Sequence, residues 1–224
     1  MNKRDGYFGL LKRRELLLPT WRGLFLFMSV IAGLMALAVL NVQAFLALNA
    51  PVQAEVMVVE GWVPDFVLEE AKAKFELGHY SKLYVTGGPI EMGGAMSGYQ
   101  TFAELGAATL RKMGLSSDVV EAVPAPSVKR DRTFASALAL KNKLHQQAVN
   151  ISGINLVSLG VHSRRSHLLF QKAFANELQV GIIAVEDRNY YGERWWKFSE
   201  GVRLVTDELF AYIYAILVFP FVEP

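Results

Sequence analysis

From Gly23 to Leu48 the chain carries no charged side chain, and six basic residues stand in the 22 positions before it. About 20 consecutive apolar residues cross the hydrocarbon core of a bilayer as a helix, since a helix satisfies its own backbone hydrogen bonds where water is absent. The cations are Lys3, Arg4, Lys12, Arg13, Arg14 and Arg22, opposed by Asp5 and Glu15, and the next basic residue is Lys72. This asymmetry predicts a basic cytoplasmic arm over residues 1–22 and a transmembrane signal-anchor helix over 23–48. The N-terminus stays in the cytoplasm and the remainder lies outside, so the chain is expected in the cytoplasmic (inner) membrane as a single-pass protein with the lipid bilayer as a partner. A cleaved signal peptide is the competing expectation, because Val52-Gln53-Ala54 offers small residues before a cut. The apolar run is longer than a signal h-region of up to about 15 residues, which favours the uncleaved anchor.

The same arm explains the formal net charge of +2, because the residues after it hold 17 basic and 19 acidic side chains. A surface for a nucleic acid polymer is therefore not supported. The absence of cysteine excludes disulfides, thiolate metal sites and thiol nucleophiles.

After Ala54, short apolar runs alternate with longer helical patterns. Strands are expected at Glu55–Glu60, Lys82–Thr86, Val119–Val123, Ile154–Leu159 and Val180–Val185. Helices are expected over Asp65–Gly78, Tyr99–Met113, Thr133–Gln147 and Ser163–Leu178, with Asp65 as a possible cap of the first and Asp131 or Thr133 of the third. Continuous apolar strands between helices argue for a mainly parallel sheet covered on both faces. The fold class is therefore α/β, a three-layer Rossmann-like domain of about five strands over residues 52–224, preceded by one transmembrane helix. Leu209–Phe221 is apolar on every face yet too short to span a bilayer. It is expected either to cover the sheet or to lie against the membrane or the anchor helix.

In such sheets ligands bind beyond the carboxyl ends of the strands. Those ends deliver Glu60, Gly87-Gly88, Arg132-Thr133 and the segment Gly160-Val161-His162-Ser163-Arg164-Arg165. Two arginines in the first turn of a helix oppose its dipole, which favours anions there. An anionic group at that point would relieve the conflict, and arginine grips phosphate well. The set predicts an anion pocket between the first, second and fourth strands. No GxSxG, HExxH, P-loop or strand-linked GxGxxG occurs. His162 and His167 lie too far apart in sequence to share a helix face, so no transition metal is expected, and no cofactor is indicated.

The anchor, Thr86-Gly87-Gly88, the Arg132-Thr133 helix start and the His162 to Arg165 spacing together resemble the YdcF-like family of the SanA and ElyC type, over about residues 54–190. The resemblance implies a membrane-anchored Rossmann-like domain linked to the cell envelope and to lipid-carrier or peptidoglycan metabolism. It carries no settled reaction. On the enzyme reading of these residues, Gly87, Gly88, Arg132, Thr133, Arg164 and Arg165 are the expected ligand-binding set, with His162 as general acid or base and Glu60 orienting it or a water, although Glu60-Gly61-Trp62 stands where the family usually has Leu-Gly. The partner would be a phosphorylated or lipid-linked envelope precursor. This sequence departs from the family pattern where acids are usual, near Phe102 and Ser127, and has Ser136 where an asparagine is usual. A non-catalytic envelope factor binding such a ligand or a membrane-protein partner is the alternative expectation.

Overall fold

The computed structural model describes residues 18–148, 151–175 and 177–219. The basic arm up to residue 17 and the end of the apolar tail, including Phe221, lie outside the described residues. The chain forms two compact units, Met1–Leu40 and Asn41–Pro224. The described residues of the first are mostly those of the apolar helix α1, Trp21–Leu46, which is long and apolar enough to cross a membrane. At 1.5 Å per residue its 26 residues measure about 39 Å, more than a hydrocarbon core of about 30 Å requires. The surplus is the last turn, Asn41–Leu46, which belongs to the second unit and buries Leu46 completely.

The second unit is an α/β domain. In chain order it contains β1 (Val56–Glu60), α2 (Asp65–Leu77), β2 (Lys82–Gly87), the short α3 (Gly94–Ser97), α4 (Phe102–Lys112) and β3 (Val120–Pro124). Then follow α5 (Arg132–Gln146), β4 (Gly153–Leu159), α6 (Ser163–Phe174), β5 (Gln179–Val185) and α7 (Ser199–Leu217). The five strands are all parallel in the order β3-β2-β1-β4-β5. The chain winds one way from β1 to β3 and then crosses back to β4, so the switch point lies between β1 and β4. Two apolar layers hold the sheet. Met57, Val59, Leu83 and Val85 pack against α2 and α4 on one face. Val58, Tyr84, Ile154 and Leu156 pack against α5 and α6 on the other. Pro124 lacks an N–H and is accommodated because β3 is an edge strand.

Boundaries differ from the sequence expectation where glycine and capping chemistry intervene. The expected helix from Tyr99 begins instead at Phe102, because Thr101 and Glu104 form a reciprocal capping box. Gly93 and Gly98, both at positive φ, set off α3 before it. Asp65 is the first helical residue rather than a cap, and no side chain caps that helix. Asp131 precedes α5 in the left-handed region at φ 57°, also without a capping side-chain bond. Helix α6 stops at Phe174, four residues early, where Ala175 turns left-handed. Helix α4 lies close over the end of β1: a Cβ at Gly61 would stand 2.3 Å from the Phe102 carbonyl oxygen, and one at Gly106 3.2 Å from the Gly61 Cα.

The apolar tail is resolved as α7, which lies on α6 rather than on the sheet. Glu208 meets Arg165, and seven residues later on both helices Lys172 Nζ donates to the Ala215 carbonyl at 2.8 Å. The two helices therefore run side by side in the same direction. Tyr212 also packs edge-on against Phe45 in the last turn of α1, at 5.6 Å between ring centroids. Phe210, Ile213 and Leu217 face outward.

Candidate functional site at the carboxyl edge of the sheet

Residues two apart on a strand share a face. On the α5/α6 face the three central strands end in the same manner: Tyr84 gives way to Thr86, Val58 to Glu60 and Leu156 to Ser158. Thr86 is the register partner of Glu60, and the Ser158 hydroxyl donates to Glu60 Oε2. An apolar layer is thus closed at its carboxyl end by a polar row that is itself buried. From above, Ser166 of α6 donates to Glu60 Oε1 at 2.9 Å.

Gly160, at φ 46°, lets the chain leave β4 in a tight 3₁₀ turn, and that turn places His162 over Glu60. His162 Nε2 lies 3.5 Å from Glu60 Oε1, while Nδ1 lies 2.7 Å from Glu208 Oε1. The Trp62 ring packs edge-on against the imidazole, with centroids 4.9 Å apart. Arg165 grips Glu208 with two bonds, Nε to Oε2 at 2.8 Å and Nη2 to Oε1 at 2.9 Å. Its Nη2 stands 2.9 Å from His162 Nδ1. Two cations approach so closely because one carboxylate serves both.

Electrostatics follows from this geometry. Burial pulls the His162 pKa down, but the Glu60 charge and the Glu208 hydrogen bond outweigh it and raise it to about 9. Burial pushes Glu208 up, yet the bonds from Arg165 and His162 hold it down at about 2. Glu60 is likewise lowered, burial being outweighed by the charge of the nearby His162 and by the hydroxyl bonds from Ser158 and Ser166. At neutral pH the cluster therefore holds two anions and two cations. His162 is an imidazolium, so its chemistry there is that of a hydrogen-bond donor or acid, not a base.

The sequence reading placed Arg164 and Arg165 against an external anion. The structure supplies both arginines with partners from within the chain. Arg165 has Glu208. Arg164 Nε donates to the Phe45 carbonyl, with its guanidinium 3.9 Å above the Phe45 ring centroid. That carbonyl belongs to the last turn of α1, where backbone acceptors lack helical partners and the dipole favours a cation. Ser163 Oγ donates to the Gly160 carbonyl at 2.7 Å and reaches the next α1 carbonyl, Leu46, at 3.4 Å. The conflict at the start of α6 is thus relieved by the end of α1.

Of the other expected residues, Arg132 is exposed and pairs with Glu91 at 3.3 Å, and Thr133 is half-buried in the first turn of α5. Gly87 serves close packing, since a Cβ there would stand 2.8 Å from Phe102 Cβ and 2.9 Å from the Ala103 nitrogen. A Cβ at Gly88 would meet only the Pro126 carbonyl oxygen, in ordinary contact at 4.0 Å. Glu60, His162 and Arg165 are brought together; Arg132 and Arg164 are directed elsewhere. Glu208 was missed by sequence reasoning, and its one local signal is that an acid stands immediately before the apolar run of α7.

Three buried atoms of this region have no hydrogen-bond partner, Thr86 Oγ1, His162 Nε2 and Tyr190 Oη. Surface depressions lined by Gln53, Gly78 and Tyr80 and by Ser152, Gln171 and Glu177 lie at the opposite, amino edge and gather none of these groups. Among the described residues no cluster of three or more His, Cys, Asp or Glu side chains is arranged to hold a metal ion. No protein-family model and no curated protein matches this chain.

Proposed function

We propose that this chain is a membrane-anchored envelope protein that binds a phosphorylated or nucleotide-like precursor at the carboxyl ends of β1, β2 and β4, and that it acts on the precursor as a hydrolase or transferase. The observation that carries the reading is the His162 Nε2–H. It is buried, charged at neutral pH, oriented from behind by Glu208, and ion-paired with Glu60 at 3.5 Å, a separation too long for a hydrogen bond. A donor held in this way suits an anionic or leaving oxygen, and its position at the switch point is where α/β sheets take ligands. The unpartnered Thr86 hydroxyl on the neighbouring strand offers a second polar contact. The basic arm supports an N-terminus in the cytoplasm and a domain outside the inner membrane.

A specific observation favours a non-catalytic envelope factor as the second reading. Arg165 is committed to Glu208, and the cluster is charge-neutral without a ligand. The test is calorimetric titration of the purified full chain with a lipid-linked phosphorylated precursor, alongside a turnover assay. Binding with turnover that His162→Gln abolishes supports the enzyme. Binding without turnover supports the factor, and no binding overturns both.

A further inference from the structure

We propose that the loops at the carboxyl edge of the sheet rest on the surface of the bilayer that α1 crosses, so that the candidate site opens onto lipid headgroups. The proposal rests on α1 spanning the membrane, and not on the chemistry assigned to His162.

The first observation is the tether. Asn41–Leu46 is part of the folded domain and is held at the carboxyl edge, where the Phe45 and Leu46 carbonyls meet Arg164 and Ser163 at the start of α6. About 20 residues of α1 fill the hydrocarbon core, so Trp21–Leu40 suffices. Phe45 is only five positions beyond Leu40, a span of at most about 18 Å even if fully extended. Whatever the angle between helix and domain, the edge that holds Phe45 cannot stand far from the headgroups.

The second observation is what that edge displays. Loops from three different strands put large apolar or amphipathic side chains into solvent there. Trp62 follows β1; Met92, Met96 and Tyr99 follow β2; Tyr191 and Trp196 follow β5. Met92 and Met96 are 91% and 93% exposed and Tyr191 is 73% exposed. In water alone such tips gain nothing, whereas tryptophan and tyrosine are favoured at the membrane interface. The loops 61–64, 88–101, 125–131 and 186–198 together carry five basic and five acidic side chains. With no net charge, the attraction comes from the apolar and aromatic tips rather than from anionic lipid.

The test exploits the absence of native cysteine. Single-cysteine variants M92C and M96C carry an environment-sensitive fluorophore in the full chain, reconstituted in phosphatidylcholine nanodiscs containing spin-labelled lipid. L77C, exposed at the far end of α2, reports the amino edge, F210C reports the outer face of α7, and M28C reports the middle of α1. The expected result is lipid quenching at 92 and 96 severalfold stronger than at 77 and 210, with 28 quenched most strongly by a deep label. Quenching at 28 but not at 92 and 96 would overturn the surface contact alone. No quenching at 28 would overturn the membrane span and the contact with it. Labels at 92 and 96 shielded from an aqueous quencher yet unquenched by lipid would assign that edge to a protein partner instead. Melting temperatures matching the wild type establish that each variant is folded.

Discussion

Replacing Glu208 with Gln removes one charge and keeps the shape, so it isolates what that carboxylate does. Glu208 holds Arg165 with two bonds and His162 with a third, and its side chain is only 15% exposed. A carboxylate lowered from 4.5 to about 2 on folding contributes about 3 kcal/mol at neutral pH, and breaking one partner out of a buried pair costs about 3 to 5 kcal/mol. Both routes give a destabilisation of about 3 kcal/mol at pH 7. The pH dependence supplies a second readout. His162 is raised from 6.5 to about 9, so its stabilising contribution is fully present below pH 6.5 and lost as pH rises through 9. Between pH 7 and pH 9 the wild type should therefore lose about 2 kcal/mol from this group. In Glu208→Gln, His162 keeps only Glu60 as an anionic partner, its pKa falls, and the loss over that interval shrinks. Urea unfolding of the full chain in detergent, followed by tryptophan fluorescence at pH 6, 7, 8 and 9, measures both effects. A destabilisation below about 1 kcal/mol at pH 7, with the wild-type slope retained, would refute the cluster as a buried ion network.

Three further outcomes follow from the same geometry. Arg164→Met should loosen the last turn of α1 by about 1.5 to 3 kcal/mol, seen as faster amide exchange across residues 41–48 while β1 to β5 stay protected. Gly61→Ala should cost about 3 kcal/mol or more in thermal melts, because its Cβ meets the rigid backbone of α4 at Phe102. Thr86→Val removes a buried hydroxyl that has no partner, so stability should hold or rise slightly, while any affinity for a phosphorylated ligand falls.

The α/β order, the five strands and the membrane-length helix are legible in the sequence because each rests on local periodicity and composition. The ends of β1 and β2 are legible too, since each apolar run finishes in a polar residue, Glu60 and Thr86; Ser158, one position before the end of β4, joins their row only once the strands are paired. What sequence cannot display is partnership over distance. Arg165 sits in an unfavourable helix start, and that local fact correctly calls for an anion. The anion is Glu208, 43 positions downstream, brought back only by the parallel packing of α7 on α6. Arg164 has the same dipole conflict and resolves it on the carboxyl end of a helix 119 positions upstream. Gly87 stands among the residues expected to bind a ligand because a glycine required for a ligand and one required for packing look identical until α4 is in place.

The separation of these partners along the chain also bears on how the domain assembles. β1 and β2 can pair early, but Glu60 then ends a strand whose other neighbour has not yet formed. Ser158, His162 and Ser166 arrive about a hundred residues later, and Glu208 arrives last. At synthesis rates of about 5 to 20 residues per second, the acid at residue 60 waits roughly 7 to 30 seconds for the acid at residue 208. In that interval Glu60 needs water or a proton, so a half-built sheet cannot close over it. Docking of β4, α6 and finally α7 is what completes the charge balance, which makes the last helix of the chain the step that commits the first strand to its buried place.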